Sequence, residues 1–200
     1  MGPRVQESDH DTDNSVAKAE KYRLHRTVVL VGMMGSGKSA IGKALAAKLG
    51  VPFVDSDHEI EVAANATIAE IFTRDGEEFF RRRESEVIER LLSGPPCILS
   101  TGGGAFMAER NRTAITEKGV SVWLKATLDT LWDRVRHKDT RPLLRTPNPR
   151  KTLSELMTKR DPIYALANLS AQTKKGNSIE ATTNNVIRSL LSRPDVLEKE

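Results

Sequence analysis

Gly32-Met33-Met34-Gly35-Ser36-Gly37-Lys38-Ser39 fits the pattern G-x-x-x-x-G-K-[ST] of a phosphate-binding loop. The chemistry this pattern supports is specific. Its glycines let backbone N–H groups turn inward and let phosphate oxygens approach the main chain. A helix starting at the lysine adds partial positive charge at the same point. Lys38 can then reach the β- and γ-phosphates of a nucleotide, and the Ser39 hydroxyl can ligate Mg2+. Further on, Asp55 and Asp57 lie two residues apart. Phosphoryl transfer to an alcohol needs one acidic group near the metal and another to orient or deprotonate the hydroxyl. In extended chain, residues two apart point the same way, so the pair can face one site. The competing reading makes Asp57 the N-cap of a helix from His58. Arg81-Arg82-Arg83 follow, but successive helical residues turn by about 100°, so the three cannot share a target. At least one is solvated or paired, and Arg81 and Glu84 are spaced to meet on the surface.

The elements that must carry these residues can be read in order. Val28-Val29-Leu30-Val31 is a buried strand, and Ile41, Ala44, Leu45 and Leu49 give the helix after the loop, closed by Gly50. Val51 to Val54 is a second short strand ending at the carboxylates. Thr67-Ile68-Ala69-Glu70 reads as a capping box, and Gly76 separates its short helix from a longer one over about 77–92. Cys97 to Thr101 is a third buried strand, followed directly by Gly102-Gly103-Gly104, bare backbone where a small ligand can come close. A helix over about 108–117, a strand at Val120–Leu124 and a helix capped by Thr127 continue the alternation. Residues 138–149 are rich in proline and charge and read as an irregular loop able to close as a lid. A helix from about 150 and a last one over about 184–192 complete the chain, with a short strand possible in 170–181. Strands alternating with helices predict an α/β protein with a parallel sheet covered on both faces.

Composition narrows the class. Two hundred residues, 38% hydrophobic and 29% charged, suit one globular domain, and no apolar run approaches a membrane span. The net charge of +4 is as compatible with a site for small anions as with nucleic acid. The single cysteine, Cys97, excludes an internal disulfide, and the four histidines lack metal-ligand spacing. Residues 1–22 are polar and acidic, and read as a disordered tail without the features of a signal or transit peptide. The expected organisation is therefore a tail over 1–22 and one domain over 23–195, in the cytoplasm. There are no internal repeats.

Taken together, the phosphate loop at 32–39, Asp-Ser-Asp at 55–57, Phe-Arg-Arg at 80–82 with Glu84, Gly-Gly-Gly at 102–104, Arg-Pro-Leu-Leu at 141–144, and Arg160 ahead of Tyr164 resemble the shikimate kinase family. The resemblance covers about residues 26–169. It implies a three-layer P-loop kinase fold, with a five-stranded parallel sheet like that of nucleoside monophosphate kinases. It implies ATP-dependent phosphorylation of the shikimate 3-hydroxyl, in the route to chorismate and the aromatic amino acids, with Mg2+ as cofactor. By position, Gly35, Ser36, Gly37, Lys38, Ser39 and Ala40 would wrap the ATP phosphates, with Ser39 and Asp55 at the metal. Asp57 would bind the reacting hydroxyl and serve as base. Arg81 and Arg160 would clamp the substrate carboxylate, Gly103 and Gly104 would contact its hydroxyls, and Phe72 and Phe80 would wall its ring. Arg141 would descend from the mobile lid onto the phosphates as a catalytic group with Asp57 and Lys38, and Arg134 would lie near adenine. The segment 176–184, which holds adenine contacts in the family, does not align clearly. The partners implied are shikimate and ATP, without nucleic acid or membrane, for a monomer. Two alternatives stand beside this reading. One is another small-metabolite kinase of the same architecture, such as a gluconate kinase. The other is a nucleotide-dependent switch or nucleic-acid-associated P-loop protein.

Overall fold

A computed structural model describes residues 20–137 and 142–200. The elements in chain order are β1 (Tyr22–Leu24), β2 (Thr27–Val31), α1 (Lys38–Leu49), β3 (Phe53–Asp55), α2 (Ser56–Ala64), α3 (Ile68–Leu92), β4 (Ile98–Ser100), α4 (Glu109–Lys118), β5 (Gly119–Ala126), α5 (Leu128–Val135), α6 (Pro149–Tyr164), β6 (Leu169–Thr173), α7 (Ile179–Leu191) and β7 (Leu197–Lys199). Short 3-10 turns lie at Ala105–Met107 and Pro142–Leu144.

The main sheet has five parallel strands in the order β3-β4-β2-β5-β6. Strand β2 lies at its centre and every residue in it is buried. A central strand covered on both faces needs an unbroken apolar, β-branched run, which Val28 to Val31 supplies. Its side chains alternate between two cores. Val28 and Leu30 pack with Leu45, Ile98, Val122, Val186 and Leu190, under α1 and α7. Val29 and Val31 pack with Ile88, Leu99, Ile115, Trp123 and Tyr164, under α3, α4 and α6. This gives the parallel sheet covered on both faces that the alternation predicts, with the five strands and three layers that the family resemblance implies. A smaller cluster of Ile60, Ile71, Phe80 and Val87 joins α2 to α3.

The capping box forms as read: Thr67 Oγ1 accepts from the Glu70 N–H, and Glu70 accepts from the Thr67 N–H. Gly76 breaks the helical geometry inside α3 with φ 82° and ψ 172°, a region accessible essentially to glycine. Helix α7 begins at Ile179, capped by Ser178, earlier than the apolar pattern indicates. Its first turns bury Thr182 and Thr183, which donate to the carbonyls of Ser178 and Ile179, so they fit a buried helix face despite their polarity.

The boundaries expected for the domain need correction at both ends. Tyr22 opens β1, which pairs antiparallel with β7, and Val196 and Leu197 are buried. Folded structure therefore starts before 23 and runs past 195. Most of the expected tail, residues 1–19, lies outside the described residues, as does 138–141 at the start of the expected lid. The rest of that lid holds a 3-10 turn beside α6 in which Leu144 is buried in the core, and its last residue, Pro149, already belongs to α6.

Candidate active site

Open parallel sheets gather their functional groups beyond the carboxyl ends of the strands. Here that edge holds a cavity of about 490 Å³ between the phosphate loop, the β3–α2 junction and the glycine turn after β4. Gly35, Gly37, Lys38, Ser39, Ala40, Asp55, Asp57, Gly102, Gly103 and Arg134 all line it.

The phosphate loop connects β2 to α1. Gly37 caps the helix with φ 96°, a left-handed conformation no larger residue adopts cheaply. Lys38 Nζ donates to the carbonyl oxygens of Gly32 at 2.7 Å and Met33 at 3.0 Å, so its ammonium lies across the loop. Ser36 is fully buried, its N–H donates to the Met33 carbonyl at 3.2 Å, and it does not line the cavity. Arg134, on α5, donates to the carbonyls of Gly35 at 3.1 Å and Ser36 at 3.4 Å. It thus lines the cavity while bonded to the loop's main chain.

The two aspartates converge, but not as neighbours in one extended strand. Asp55 ends β3, and Asp57 lies in the first turn of α2. Asp55, not Asp57, caps that helix, with one oxygen accepting from the Asp57 N–H at 3.0 Å. Its other oxygen accepts from Ser39 Oγ at 3.5 Å. Two hard oxygens from Ser39 and Asp55 thus meet at the mouth of the loop. The Asp57 carboxylate rests against bare backbone: a Cβ on Gly102 would fall 2.8 Å from its Oδ1. Burial, then the Asp55 charge, push the Asp57 carboxyl up to about 6, while Lys38 and Arg81 pull it the other way. An acid in that range is poised to take a proton near neutral pH.

Of the three consecutive arginines only Arg81 turns to this side. Arg82 and Arg83 lie over the Phe79 ring, and Arg83 pairs with Glu86 at 2.6 Å. Arg81 Nη1 donates to Glu84 at 2.8 Å; Glu84 is 1% exposed and Arg81 half-buried, so the contact runs from the site into the core and is not the surface contact the spacing suggests. Burial raises the Glu84 carboxyl, and the Arg81 guanidinium draws it back. Arg81 also lies over Phe80, whose ring centroid is 4.6 Å from that of Phe72.

Arg160, on α6, reaches the same place from the other side. Its Nη1 donates to the Gly103 carbonyl at 3.4 Å, and the Tyr164 hydroxyl donates to the same oxygen. A Cβ on Gly104 would fall 2.7 Å from both terminal nitrogens of Arg81. Two guanidinium groups from helices far apart in sequence therefore flank one glycine turn. Such planar forks match a carboxylate. Arg141 lies outside the described residues. Sequence reasoning paired Arg81 with Glu84 from their spacing but did not foresee that Glu84 is buried, and it gave no role to Tyr164 behind Gly103. The only signal for Tyr164 was its place one helical turn after Arg160.

The family model described as shikimate kinase matches residues 34–191. The chain belongs to the shikimate kinase family. Among curated relatives, the shikimate kinase of Cereibacter sphaeroides is 65% identical over 178 residues, covering 89% of each chain. That of Ruegeria pomeroyi is 64% identical over 175 residues, covering 88% of this chain and 90% of the relative. Among solved structures, shikimate kinase from Acinetobacter baumannii, in complex with shikimate, aligns at a TM-score of 0.78 with 37% identity, over 84% of this chain and 93% of that one. A gluconokinase from Sinorhizobium meliloti aligns at 0.58 with 17% identity over 86% of this chain and 95% of that one, a likeness of fold alone.

Proposed function

We propose that this chain transfers the γ-phosphoryl group of ATP to the 3-hydroxyl of shikimate, giving ADP and shikimate 3-phosphate. The observation that carries the assignment is the placement of Asp57. On one side of it lies the phosphate-loop lysine, and on the other the glycine turn flanked by Arg81 and Arg160. A donor phosphate and a carboxylate-bearing alcohol would meet at one carboxylate.

The reading gives each group a role. Main-chain N–H groups of residues 35–40 and the start of α1 hold the nucleotide phosphates. Lys38 exchanges its carbonyl contacts for phosphate oxygens. Arg81 and Arg160 fix the shikimate carboxylate, which turns the ring so that one hydroxyl faces Asp57. Asp57 accepts the proton of that hydroxyl as the new O–P bond forms and the bond from the γ-phosphorus to the departing ADP oxygen breaks. Ser39 and Asp55 fit Mg2+, a hard cation that takes one or two protein oxygens and completes its shell with phosphates and water. When bound, it neutralises charge on the phosphate oxygens. Segment 138–149 serves as the lid, carrying Arg141 to the transferred group, and Arg134 supports the loop on the adenine side. The reading includes action as a cytoplasmic monomer, without nucleic acid or membrane. Among the described residues no helix is long and apolar enough to cross a membrane.

A coupled ADP-release assay tests the assignment. ADP is expected with shikimate, and not with gluconate or with ATP alone. Equal rates with gluconate, or acceptor-independent release, would overturn it.

A further inference from the structure

Gly103 offers one carbonyl oxygen to two side chains of the same helix. Arg160 and Tyr164 are one turn apart on α6, and both donate to it. The Arg160 contact, at 3.4 Å, is long for a hydrogen bond. The Tyr164 contact is the close one. Tyr164 is fully buried, with its ring stacked between Trp123, 6.2 Å away, and Phe106, 6.4 Å away. Its ring therefore has no freedom to swing, and its hydroxyl is held at a fixed point.

That point controls more than one contact. The Gly103 carbonyl belongs to the same planar peptide as the Gly104 N–H. Fixing the oxygen fixes the direction of that N–H, at the residue whose α-carbon lies against Arg81. It also fixes the carbonyl on which Arg160 rests. We propose that Tyr164 is a positioning residue for the acceptor substrate: through the Gly103 carbonyl, its hydroxyl sets the glycine turn and Arg160 in the arrangement that receives the shikimate carboxylate and ring. Its hydroxyl is bonded to the glycine turn and not to the phosphate loop, so its effect should fall mainly on the acceptor substrate. Burial pushes the Tyr164 hydroxyl up to about 12, so it keeps its proton and remains a donor throughout the working range of pH.

This inference rests on the shikimate kinase reading, and its test separates the two. The wild type, Tyr164→Phe and Gly103→Ala are assayed with shikimate and ATP each varied, and each is melted thermally. Tyr164→Phe keeps the stacked ring and loses only the donor. Its KM for shikimate should rise by about three- to tenfold, the range of one net hydrogen bond. Its KM for ATP should stay within about twofold and its kcat within about threefold. Gly103→Ala probes the same contact from the other side and decides the matter if Tyr164→Phe does not fold. Its methyl would lie 3.4 Å from Arg160 and 3.7 Å from the Tyr164 hydroxyl, in contact with both and taking up the space beside them. It too should raise the shikimate KM selectively. A purely structural tyrosine would lower the melting temperature and leave the ratio of the two KM values unchanged. That result, or a parallel rise in both KM values, overturns the positioning role while the functional reading stands. A wild type that releases no ADP with shikimate overturns the functional reading, and the inference with it.

Discussion

Asp57 is held in a place that favours its neutral form, and this couples activity to stability at a single residue. Its carboxyl titrates near 6 in the fold against an ordinary value of 3.8, so the folded chain binds that proton more tightly than the unfolded one. The stability it lends is present below about pH 4 and lost as pH rises through about 6. At neutral pH its charge opposes folding. Asp57→Asn, a neutral stand-in of the same shape, should therefore raise stability at pH 7 by about 1–3 kcal/mol and bring no gain near pH 3. The same variant should lose roughly 10²-fold or more in kcat, with ATP binding little changed. In the wild type, kcat/KM should climb with pH up to about 6 and then level off. Denaturant titrations at the two pH values and a pH–rate profile check all three. At Arg81 and Arg160, each Ala variant should weaken shikimate binding by roughly tenfold to more than a hundredfold, with Lys variants in between, because lysine keeps charge but loses the fork. Shikimate and ATP titrations check this, and wild-type shikimate binding in both Ala variants would leave the clamp without support. Residue types and spacing marked Asp57 as a candidate, whereas Arg81 and Arg160 were singled out only by the family resemblance. Neither revealed Glu84 and Tyr164 as buried supports, because burial of a glutamate or tyrosine depends on contacts between distant parts of the chain.

Among the elements, the strand–loop–helix unit and the Thr67 capping box were legible because they are local: each is completed within a few residues. The β3–α2 junction was only half legible. The helix begins at Ser56, so Asp55 caps it and Asp57 enters it, and no periodicity in so short a segment distinguishes that from a longer strand. Gly76 was correctly placed as a break, and its conformation gives the break an energetic content. A Cβ there would meet no atom within 4 Å, so replacement by alanine costs backbone strain alone. Gly76→Ala should lower stability by about 1–3 kcal/mol. It should also weaken shikimate binding, because Phe72 and Arg81 lie on opposite sides of the kink. Urea denaturation should show a lower midpoint with an unchanged slope. An unaltered midpoint would mean that the kink accommodates a side chain.

At the scale of the molecule, the class of fold was legible in the alternation of strands and helices, but the order of the strands was not, since nothing local says which strands become neighbours. Nor was the joining of the two ends. The β1–β7 pair is drawn in by Val196 and Leu197, while Arg26 ties it to α4 through the Thr116 and Glu117 carbonyls. The flanking ion pairs are exposed and add little. Removing residues 195–200 should lower stability by about 3–5 kcal/mol, the worth of two buried aliphatic side chains. Because this clasp lies at the amino end of the sheet, the KM values of the remaining folded enzyme should hold, which melting curves and kinetics of the truncated chain would check. The sheet order has a consequence in time. Strand β2, with the phosphate loop at its tip, pairs with no strand that precedes it in the chain or closely follows it: Val28 lies in register with Ile98 on one side and Val120 on the other. A chain growing from its amino terminus must therefore carry its most apolar strand unpaired until much of the rest has been made. Long-range pairings of this kind slow folding and expose sticky segments on the way. The nucleotide cradle is written early in this protein, and it can be assembled only late in its synthesis.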